Sequence, residues 1–194
     1  DVSIPEDLIE EIARIHGYHN LPTELPFGQI PIFPKNENFS WIYKIKESLK
    51  SWGFSELYNY SMVSKQLLEN ADIDTVNLLQ ISNPLNEELV FMRPTLIPSI
   101  LQVVGKNQNE FGEMKIFELA NVYLPKNKRS LPNEIKMLCG ALTNTNFYKT
   151  KGIIEALLSE LGINDYQIFS LFKDSAEKIF SYPDTAQIKV GNTV

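Results

Sequence analysis

Apolar residues recur at intervals of three and four along several stretches of the chain, which is the spacing of one helix face. Together with residues that start or stop helices, this pattern predicts five helices, at residues 5–16, 38–52, 64–70, 96–109 and 147–161. Glycines that favour a helix end follow three of them directly, at Gly17, Gly53 and Gly162. Ser3 and Glu6, separated by three positions with Pro5 between them, predict a capping box at the first helix start.

Shorter runs rich in aliphatic and aromatic residues predict strands between these helices. The predicted strands are residues 57–60, 76–81, 115–119, 121–124, 135–143, 168–172 and 188–190. The segment 117–124 is interpreted as a hairpin-like pair of strands. Strands alternate irregularly with helices, which favours an α+β fold with a mostly antiparallel sheet and helices on one face over a doubly wound parallel sheet. Burial in the core explains the apolar stripe formed by Trp41, Ile45, Leu49 and Trp52.

Four prolines between Pro22 and Pro34 separate the first predicted helix from the others. Their density excludes a helix and predicts an extended connector between two domains. We therefore divide the chain into residues 1–22, a connector at 23–37 and a larger domain at 38–194. Because the chain begins at Asp1 rather than at methionine and its last residues are typical of a strand entering a turn, we expect a fragment of a longer protein.

Composition and charge narrow the classes of protein that the chain can represent. A hydrophobic content of 43% is sufficient for one substantial core. Acidic residues number 24 against 18 basic ones, and the net charge of −6 disfavours nucleic-acid binding by the chain alone. A single cysteine, Cys139, excludes an intramolecular disulfide and fits a reduced, cytosolic setting. The most apolar helical stretch, residues 96–104, is too short to span a bilayer, so no membrane association is expected.

Three carboxylates of the first predicted helix are candidates for metal binding. Asp7, Glu10 and Glu11 stand at helical positions i, i+3 and i+4, so they project from the face opposite the apolar residues, and Asp1 lies just upstream. Clustered carboxylate oxygens suit a hard cation such as Mg²⁺. The same acids also complement the helix dipole, and Glu10 is correctly spaced to pair with Arg14. The spacing leaves both interpretations open.

Other candidates for chemistry are few. His16 and His19 come at the end of the first helix, where the dipole favours a protonated imidazole, and we interpret them as solvated or capping side chains. Arg93 is an isolated cation between Met92 and Pro94. We interpret it as a structural ion-pair partner, with anion binding as the alternative. The sequence contains no glycine-rich phosphate loop and no nucleophile elbow.

Five motifs follow one another along the chain in a fixed order. They are residues 17–22 (GYHNLP), 83–88 (NPLNEE), 92–98 (MRPTLIP), 117–118 (FE) and 151–155 (KGIIE). In this order they resemble the successive signatures of the bacterial phenylalanyl-tRNA synthetase β chain, and the similarity extends over nearly the whole sequence. An ordered series of motifs is far more specific than any one of them.

The resemblance implies a class II aminoacyl-tRNA synthetase-like fold, an antiparallel or mixed sheet flanked by helices and preceded by the last helix of a small upstream domain. It also implies that acids of this first helix bind a Mg²⁺ ion shared with the α chain, and the matching residues are Asp1, Asp7, Glu10 and Glu11. The resemblance further implies a cytoplasmic α2β2 heterotetramer that uses ATP to attach phenylalanine to tRNA(Phe). ATP would then be bound by the α chain.

Position 124 separates two interpretations of function. By resemblance, class II catalytic modules carry an arginine directly after the Phe or Tyr of their second motif, where it holds the α-phosphate of ATP. Here Tyr123 is followed by Leu124, which cannot do so. We therefore expect a module without catalytic residues of its own that assembles with the catalytic α chain. The alternative is an independently active, ATP-dependent adenylating enzyme that uses Arg93 and Glu118.

Overall fold

The computed structural model describes residues 2–25, 27–30, 32–86, 88–126, 130–170, 180 and 185–191. The chain divides into two compact units, Asp1–Lys35 and Asn36–Val194. Asp1 itself and the end of the predicted strand 168–172 lie outside the described residues. Within the described ranges, no helix is long and apolar enough to cross a membrane.

The first unit contains helix α1, Pro5–His16, followed by a short 3-10 helix, Tyr18–Asn20. The predicted capping box of Ser3 and Glu6 is wrong, because Ile4 is the N-cap and Asp7 occupies the third helical position. The Asp7 carboxylate accepts hydrogen bonds from the backbone N–H groups of Ser3 at 2.7 Å and Ile4 at 3.0 Å. Asp7 rather than Glu6 therefore satisfies the free donors at the helix start.

The glycine stop of this helix is confirmed. Gly17 has a φ of 90° and donates its N–H to the carbonyl of Ala13, which ends α1. A positive φ is readily adopted by glycine and only with strain by most other residues.

Among its described residues, the second unit contains four further helices, each close to its predicted position: α2 Glu37–Ser51, α3 Lys65–Asn70, α4 Ile97–Asn107 and α5 Phe147–Glu160. Side-chain oxygens of Asn36, Ser64 and Asn146 accept backbone N–H groups at the starts of α2, α3 and α5. Its strands are β1 Ser55–Glu56, β2 Met62–Val63, β3 Phe91–Met92, β4 Lys115–Leu124, β5 Asn133–Leu142, β6 Tyr166–Ser170 and β7 Ala186–Val190.

Strand β4 is the centre of a three-stranded mixed sheet in the order β1-β4-β5. β1 runs parallel to β4, with Ser55 opposite Ile116, whereas β5 runs antiparallel to β4 over all ten of its residues. Two antiparallel pairs, β2 with β3 and β6 with β7, form separate ladders. The predicted α+β class with a sheet of mixed direction and flanking helices is therefore confirmed.

Four predicted strands differ from the structure, 57–60, 76–81, 115–119 and 121–124. The segment 117–124 belongs to one continuous strand and not to a hairpin, because β5 pairs with β4 from Lys115 to Leu124 without a break. Residues 57–60 lie outside any strand, since the ladder with β4 uses Ser55 and Glu56 instead. In the range 76–81, only Gln80 forms a bridge, to Phe91, and a turn precedes it.

The two faces of β4 have different surroundings. Phe117 is 1% exposed and packs with Leu49 of α2 and Phe54, and partly buried Ile153 of α5 packs against the same cluster. Because side chains alternate along a strand, Glu118 points to the other face. The stripe predicted on α2 is buried only in part: Leu49 is in the core, but Trp41 is 48% exposed.

Candidate functional site

Arg93 directly follows β3, and its side chain is only 3% exposed. Its Nη1 donates to Glu118 Oε1 at 2.7 Å and to the carbonyl oxygens of Asn59 at 3.3 Å and Tyr60 at 3.4 Å. Its Nε donates to the carbonyl of Asn121 at 3.1 Å. One guanidinium thus joins the segment that follows β1 to strand β4.

Glu118 lies on β4, and its side chain is also 3% exposed. In addition to Arg93, its carboxylate accepts the side-chain amide of Asn59 at 2.7 Å and the backbone N–H of Asn59 at 3.3 Å. No buried side-chain nitrogen or oxygen in the described part of the chain lacks a hydrogen-bond partner. The prediction that Arg93 is a structural ion-pair partner is confirmed, since both charges are buried and committed to each other.

The backbone of Arg93 is held from two sides. Its N–H donates to the carbonyl of Ser61 at 2.9 Å, and its carbonyl accepts the N–H of Tyr123 at 3.0 Å. Leu124 comes next, half-buried at the end of β4 and opposite Asn133 of β5. Its aliphatic side chain offers no donor to a phosphate.

Cys139 stands opposite Glu118 in the ladder between β4 and β5. Burial, and then the negative charge of Glu118, raise the pKa of the Cys139 thiol to about 11. The thiol is therefore protonated at neutral pH, and a protonated thiol is a poor nucleophile.

The acids of α1 are arranged for local contacts. Asp7 caps the helix, and these two backbone hydrogen bonds, from Ser3 and Ile4, lower the pKa of its carboxyl. Glu11, rather than Glu10, forms an ion pair with Arg14, with 2.6 Å between Glu11 Oε2 and Arg14 Nη2. Carboxylate oxygens suit Mg²⁺ chemically, yet the described residues contain no group of three His, Cys, Asp or Glu side chains placed to hold a metal ion. Asp1, the fourth predicted ligand, lies outside the described residues.

The two histidines are exposed at the end of α1, in agreement with their interpretation as solvated side chains. The backbone carbonyl of His16 accepts the side-chain amide of Asn20 at 2.7 Å. Asn20 thereby satisfies one of the free carbonyls at this helix end.

Asn59 is a member of the buried network that sequence reasoning missed. It donates twice to Glu118, and its own carbonyl accepts from Arg93. The sequence carries no clear signal for it, because only the structure shows that its aromatic neighbours Tyr58 and Tyr60 are 81% and 76% exposed. In an extended segment the residue between two exposed ones points inward, so a polar residue there requires a buried partner.

Solved structures with a similar fold are tRNA synthetases. Pyrrolysyl-tRNA synthetase from Desulfitobacterium hafniense aligns over 79% of this chain and 55% of its own, with a TM-score of 0.61 and 17% identity. A structure described as an ATP phosphoribosyltransferase regulatory subunit/histidyl-tRNA synthetase from Bacillus halodurans aligns over 75% of this chain and 40% of its own, with a TM-score of 0.55 and 18% identity. The fold is that of the class II aminoacyl-tRNA synthetases.

Sequence relatives narrow this class. The family model for the phenylalanyl tRNA synthetase beta chain CLM domain matches residues 21–194, and the chain belongs to this β-chain family. The phenylalanine–tRNA ligase beta subunit of Clostridium acetobutylicum is 32% identical over 201 residues, covering 100% of this chain and 25% of the relative. The beta subunit of Syntrophus aciditrophicus is 34% identical over 181 residues, covering 84% of this chain and 22% of the relative. The chain thus spans about a quarter of the length of these relatives.

Proposed function

We propose that this chain is a non-catalytic module of a phenylalanine–tRNA ligase, and that it assembles with an α chain that carries the catalytic site. The observation that supports the non-catalytic role most directly is the buried pair of Arg93 and Glu118. A catalytic arginine must reach the substrate. The buried guanidinium of Arg93 instead donates hydrogen bonds to Glu118 and to three backbone carbonyls. Leu124 supports the same proposal, because it lacks the charge that class II enzymes place there.

Pyrophosphate exchange tests this proposal against the alternative of an independent adenylating enzyme. The chain alone, given phenylalanine, ATP and Mg²⁺, is expected to show no exchange above background, whereas the α/β complex exchanges. A Leu124→Ala variant within the complex should exchange at the wild-type rate. Exchange by the isolated chain, abolished by Arg93→Met, would support the alternative instead.

A cluster of exposed aromatic side chains supports the assembly role. Phe39 and Tyr43 of α2 are 70% and 67% exposed and lie one helical turn apart on one face. Lys46 continues this face, and its Nζ lies 5.3 Å from the ring centroid of Tyr58, which is 81% exposed. We call Phe39, Tyr43 and Tyr58 the aromatic surface. Aromatic residues are enriched in protein interfaces, so this surface is our candidate for contact with the α chain.

Alanine variants of the aromatic surface test the assembly role. Tyr43→Ala combined with Tyr58→Ala should weaken association of the full-length β chain with the α chain by at least about tenfold, the loss of one interface hot spot. Tyr148→Ala on α5 is the matched control, because Tyr148 is also 81% exposed but lies outside the aromatic surface. Equal affinities for both variants would exclude this surface from the interface.

We also propose that Asp1, Asp7, Glu10 and Glu11 contribute to a Mg²⁺ site that ligands from the α chain complete. The chemistry of the donors supports this proposal, since Mg²⁺ prefers carboxylate oxygen and takes few protein ligands. Asp7 uses only its Oδ2 in the cap, and Glu10 forms no hydrogen bond or ion pair within the described residues. These oxygens therefore stay accessible to an ion.

The magnesium proposal is tested in the full α/β complex. The triple variant Asp7→Asn, Glu10→Gln, Glu11→Gln should lower the bound Mg²⁺ measured after gel filtration and weaken assembly. Asn at position 7 keeps an oxygen that can cap the helix, so loss of the cap does not explain the effect. Glu6→Gln, which neutralises another exposed acid of the first turn, serves as the control. Unchanged Mg²⁺ content in the triple variant would contradict the proposal.

The domain division is part of the same proposal. Residues 1–22 would form the end of a small upstream domain, and residues 23–37 would connect that domain to the next one. Residues 38–194 would form the synthetase-like module. The separation of the two compact units between Lys35 and Asn36 supports this division, as does a family match that begins at residue 21. We propose that the whole α2β2 enzyme acts in the cytoplasm and meets tRNA(Phe) through parts other than this chain. Co-purification of the full-length β chain with α chain and tRNA(Phe) tests this arrangement.

A further inference from the structure

A short segment connects β1 to β2 and lies outside both strands. The side chains of Leu57, Asn59 and Ser61 in this segment are partly buried. Those between them, Tyr58 and Tyr60, are 81% and 76% exposed. Alternation with a period of two is that of an extended chain with one side against the protein. Both tyrosine rings therefore project from the same side of the segment, toward solvent.

Hydrogen bonds fix the inner side of this segment at each of its inward-facing residues. The N–H of Leu57 donates to a carbonyl of β4 at 2.7 Å, and the carbonyl of Ser61 accepts the N–H of Arg93 at 2.9 Å. Between these two ends, the backbone N–H and the side-chain amide of Asn59 both donate to Glu118. The carbonyl of Asn59 accepts from the guanidinium of Arg93. The buried ion pair thus binds the middle of the segment from both of its charged groups.

This arrangement gives the buried pair a role besides stability. Replacing a buried ion pair by apolar side chains of similar volume is often neutral or stabilising, so stability alone does not require the charges. A fully satisfied polar network instead holds its members in one arrangement, because its hydrogen bonds are directional. Here those bonds end on the carbonyls of Asn59 and Tyr60. The buried charges therefore set the backbone conformation from which the two exposed rings project.

A fixed backbone makes the two tyrosines efficient binding groups. A tyrosine side chain has only two torsions, so it loses little conformational entropy on binding once its backbone is held. Preorganisation of this kind raises affinity without any additional contact. Tyr58 belongs to the aromatic surface, and the ammonium of Lys46 lies 5.3 Å from its ring centroid. Tyr60 projects from the same side of the segment and extends this surface.

We propose that Asn59, Arg93 and Glu118 are positioning residues for binding of the α chain. They hold Tyr58 and Tyr60 in the conformation that the α chain recognises. This inference rests on the proposed assembly role, and it adds Tyr60 to the candidate interface. The surface of the α chain that fits two phenol rings combines apolar walls with a hydrogen-bond acceptor for each hydroxyl group.

A double-mutant cycle tests whether Asn59 acts through the two rings. The affinity of the full-length β chain for the α chain is measured by calorimetric titration. Asn59→Ala should weaken binding about tenfold, the effect expected when the binding-competent conformation falls to about a tenth of the population. The double variant Tyr58→Ala, Tyr60→Ala should weaken binding by at least about tenfold. In that double variant, adding Asn59→Ala should have no further effect, because the rings that it positions are gone. Additive losses would overturn the proposal.

Ile100→Val is the control for a general loss of stability. It shortens a side chain that is 1% exposed on α4, outside the segment and its network, and it should leave the affinity for the α chain unchanged. Equal effects of Ile100→Val and Asn59→Ala on affinity would show that Asn59 contributes only to stability, which contradicts a positioning role.

Hydrogen exchange of the wild-type β chain alone provides a test that needs no variant. The backbone N–H groups of Leu57 and Asn59 should exchange slowly before the α chain is added, since both donate inward. Rapid exchange of the peptide 57–61 in the free chain, with protection only in the complex, would overturn the proposal. A wild-type β chain that does not bind the α chain would contradict the assembly role itself. A wild-type complex whose affinity is insensitive to Asn59→Ala would contradict only the positioning role.

Discussion

Two ion pairs fix strands of the second unit to their surroundings, and they differ in how far solvent reaches them. The side chains of Arg93 and Glu118 are each 3% exposed, whereas those of Lys46 and Glu56 are 21% and 9% exposed. Glu118 receives its further hydrogen bonds from Asn59, and Arg93 gives its own to backbone carbonyls. Glu56 has a second ammonium nearby instead, that of Lys50 at 3.7 Å.

This difference in solvent exposure predicts that the pair of Arg93 and Glu118 is needed for the stability of the fold, whereas the pair of Lys46 and Glu56 can rearrange at low cost. Removing one member of the buried pair leaves a charge that water cannot reach, and such charges are costly. Removing a member of the other pair leaves a charge that can turn to solvent. Lys46 also lies against Tyr58 of the aromatic surface, so the weaker pair stands where we expect a partner to bind.

Arg93→Met should produce the largest loss of stability. It leaves Glu118 buried and negative and removes the donors to three carbonyls, and breaking a buried pair in this way typically costs about 3–5 kcal/mol. Urea unfolding followed by circular dichroism measures the change in the free energy of unfolding. Met retains most of the volume, so the loss reports on charge and hydrogen bonding more than on a cavity.

The double variant Arg93→Met, Glu118→Met is the control for this comparison. With both charges removed, part of the stability should return, as in other buried pairs replaced by apolar residues. Recovery should be incomplete, because Asn59 and the three carbonyls lose their partners. A single variant as stable as the wild type would show that the pair does not hold the fold.

Asn59→Ala should have an intermediate effect. It removes the amide that donates to Glu118 at 2.7 Å while Arg93 stays in place. An unsatisfied buried acceptor costs about 1–3 kcal/mol, more than a lost surface contact. Asn133→Ala, at an exposed position on β5, is the control and should change the free energy of unfolding by less than about 0.5 kcal/mol. Equal losses for the two variants would contradict a special role for Asn59.

Local signals were enough to predict the helices. Gly17 and Gly53 have positive φ values at helix ends, and Asn36, Ser64 and Asn146 provide caps. These features are set by neighbours in sequence, so a pattern of spacing and stop residues captures them. The predicted capping box of Ser3 and Glu6 is wrong because the helix starts one residue later than that spacing implies, with Ile4 as the N-cap and Asp7 at the third helical position.

Strand pairing could not be predicted in the same way. The sequence 117–124 suggests a hairpin, but it belongs to strand β4, whose register is set by ten partners in β5, between 9 and 27 positions away in sequence. Likewise, Arg93 and Glu118 are 25 positions apart, and nothing local to either one indicates the other. The interpretation of Arg93 as an ion-pair partner rested on its isolation between Met92 and Pro94, whereas the identity of its partner, Glu118, depends on the tertiary structure.

Glu56→Gln should have a small effect that depends on pH. Burial opposes ionisation of this carboxyl, but hydrogen bonds from Lys46 and Tyr58 and the charges of Lys46 and Lys50 outweigh it and lower the pKa of Glu56. The folded pKa is therefore below the unfolded one, so the contribution is present above the usual value of 4.5 and is lost as the pH falls through the folded pKa.

At pH 7 we expect the Glu56→Gln variant to lose about 1 kcal/mol, the upper end for a pair that solvent still reaches. The difference from the wild type should shrink as the pH is lowered below 4.5, which urea unfolding across a pH series measures. A difference that grows toward acid pH would contradict a lowered pKa of Glu56 in the folded state. Glu47→Gln on the exposed side of α2 is the control.

Lys65→Met should have the smallest effect on the free energy of unfolding, because Lys65 belongs to an ion pair that is largely exposed to solvent. Lys65 and Glu69 are spaced i,i+4 on α3, 3.2 Å apart, with side chains 63% and 48% exposed. Pairs of this kind contribute about 0.3–0.5 kcal/mol, and roughly 1 M salt should remove even that, because screening then acts within about 3 Å. The loss caused by Arg93→Met should persist at the same salt concentration, since ions do not enter the buried site. A Lys65→Met variant that loses more than 1 kcal/mol and is insensitive to salt would mean that solvent exposure does not separate the two kinds of pair.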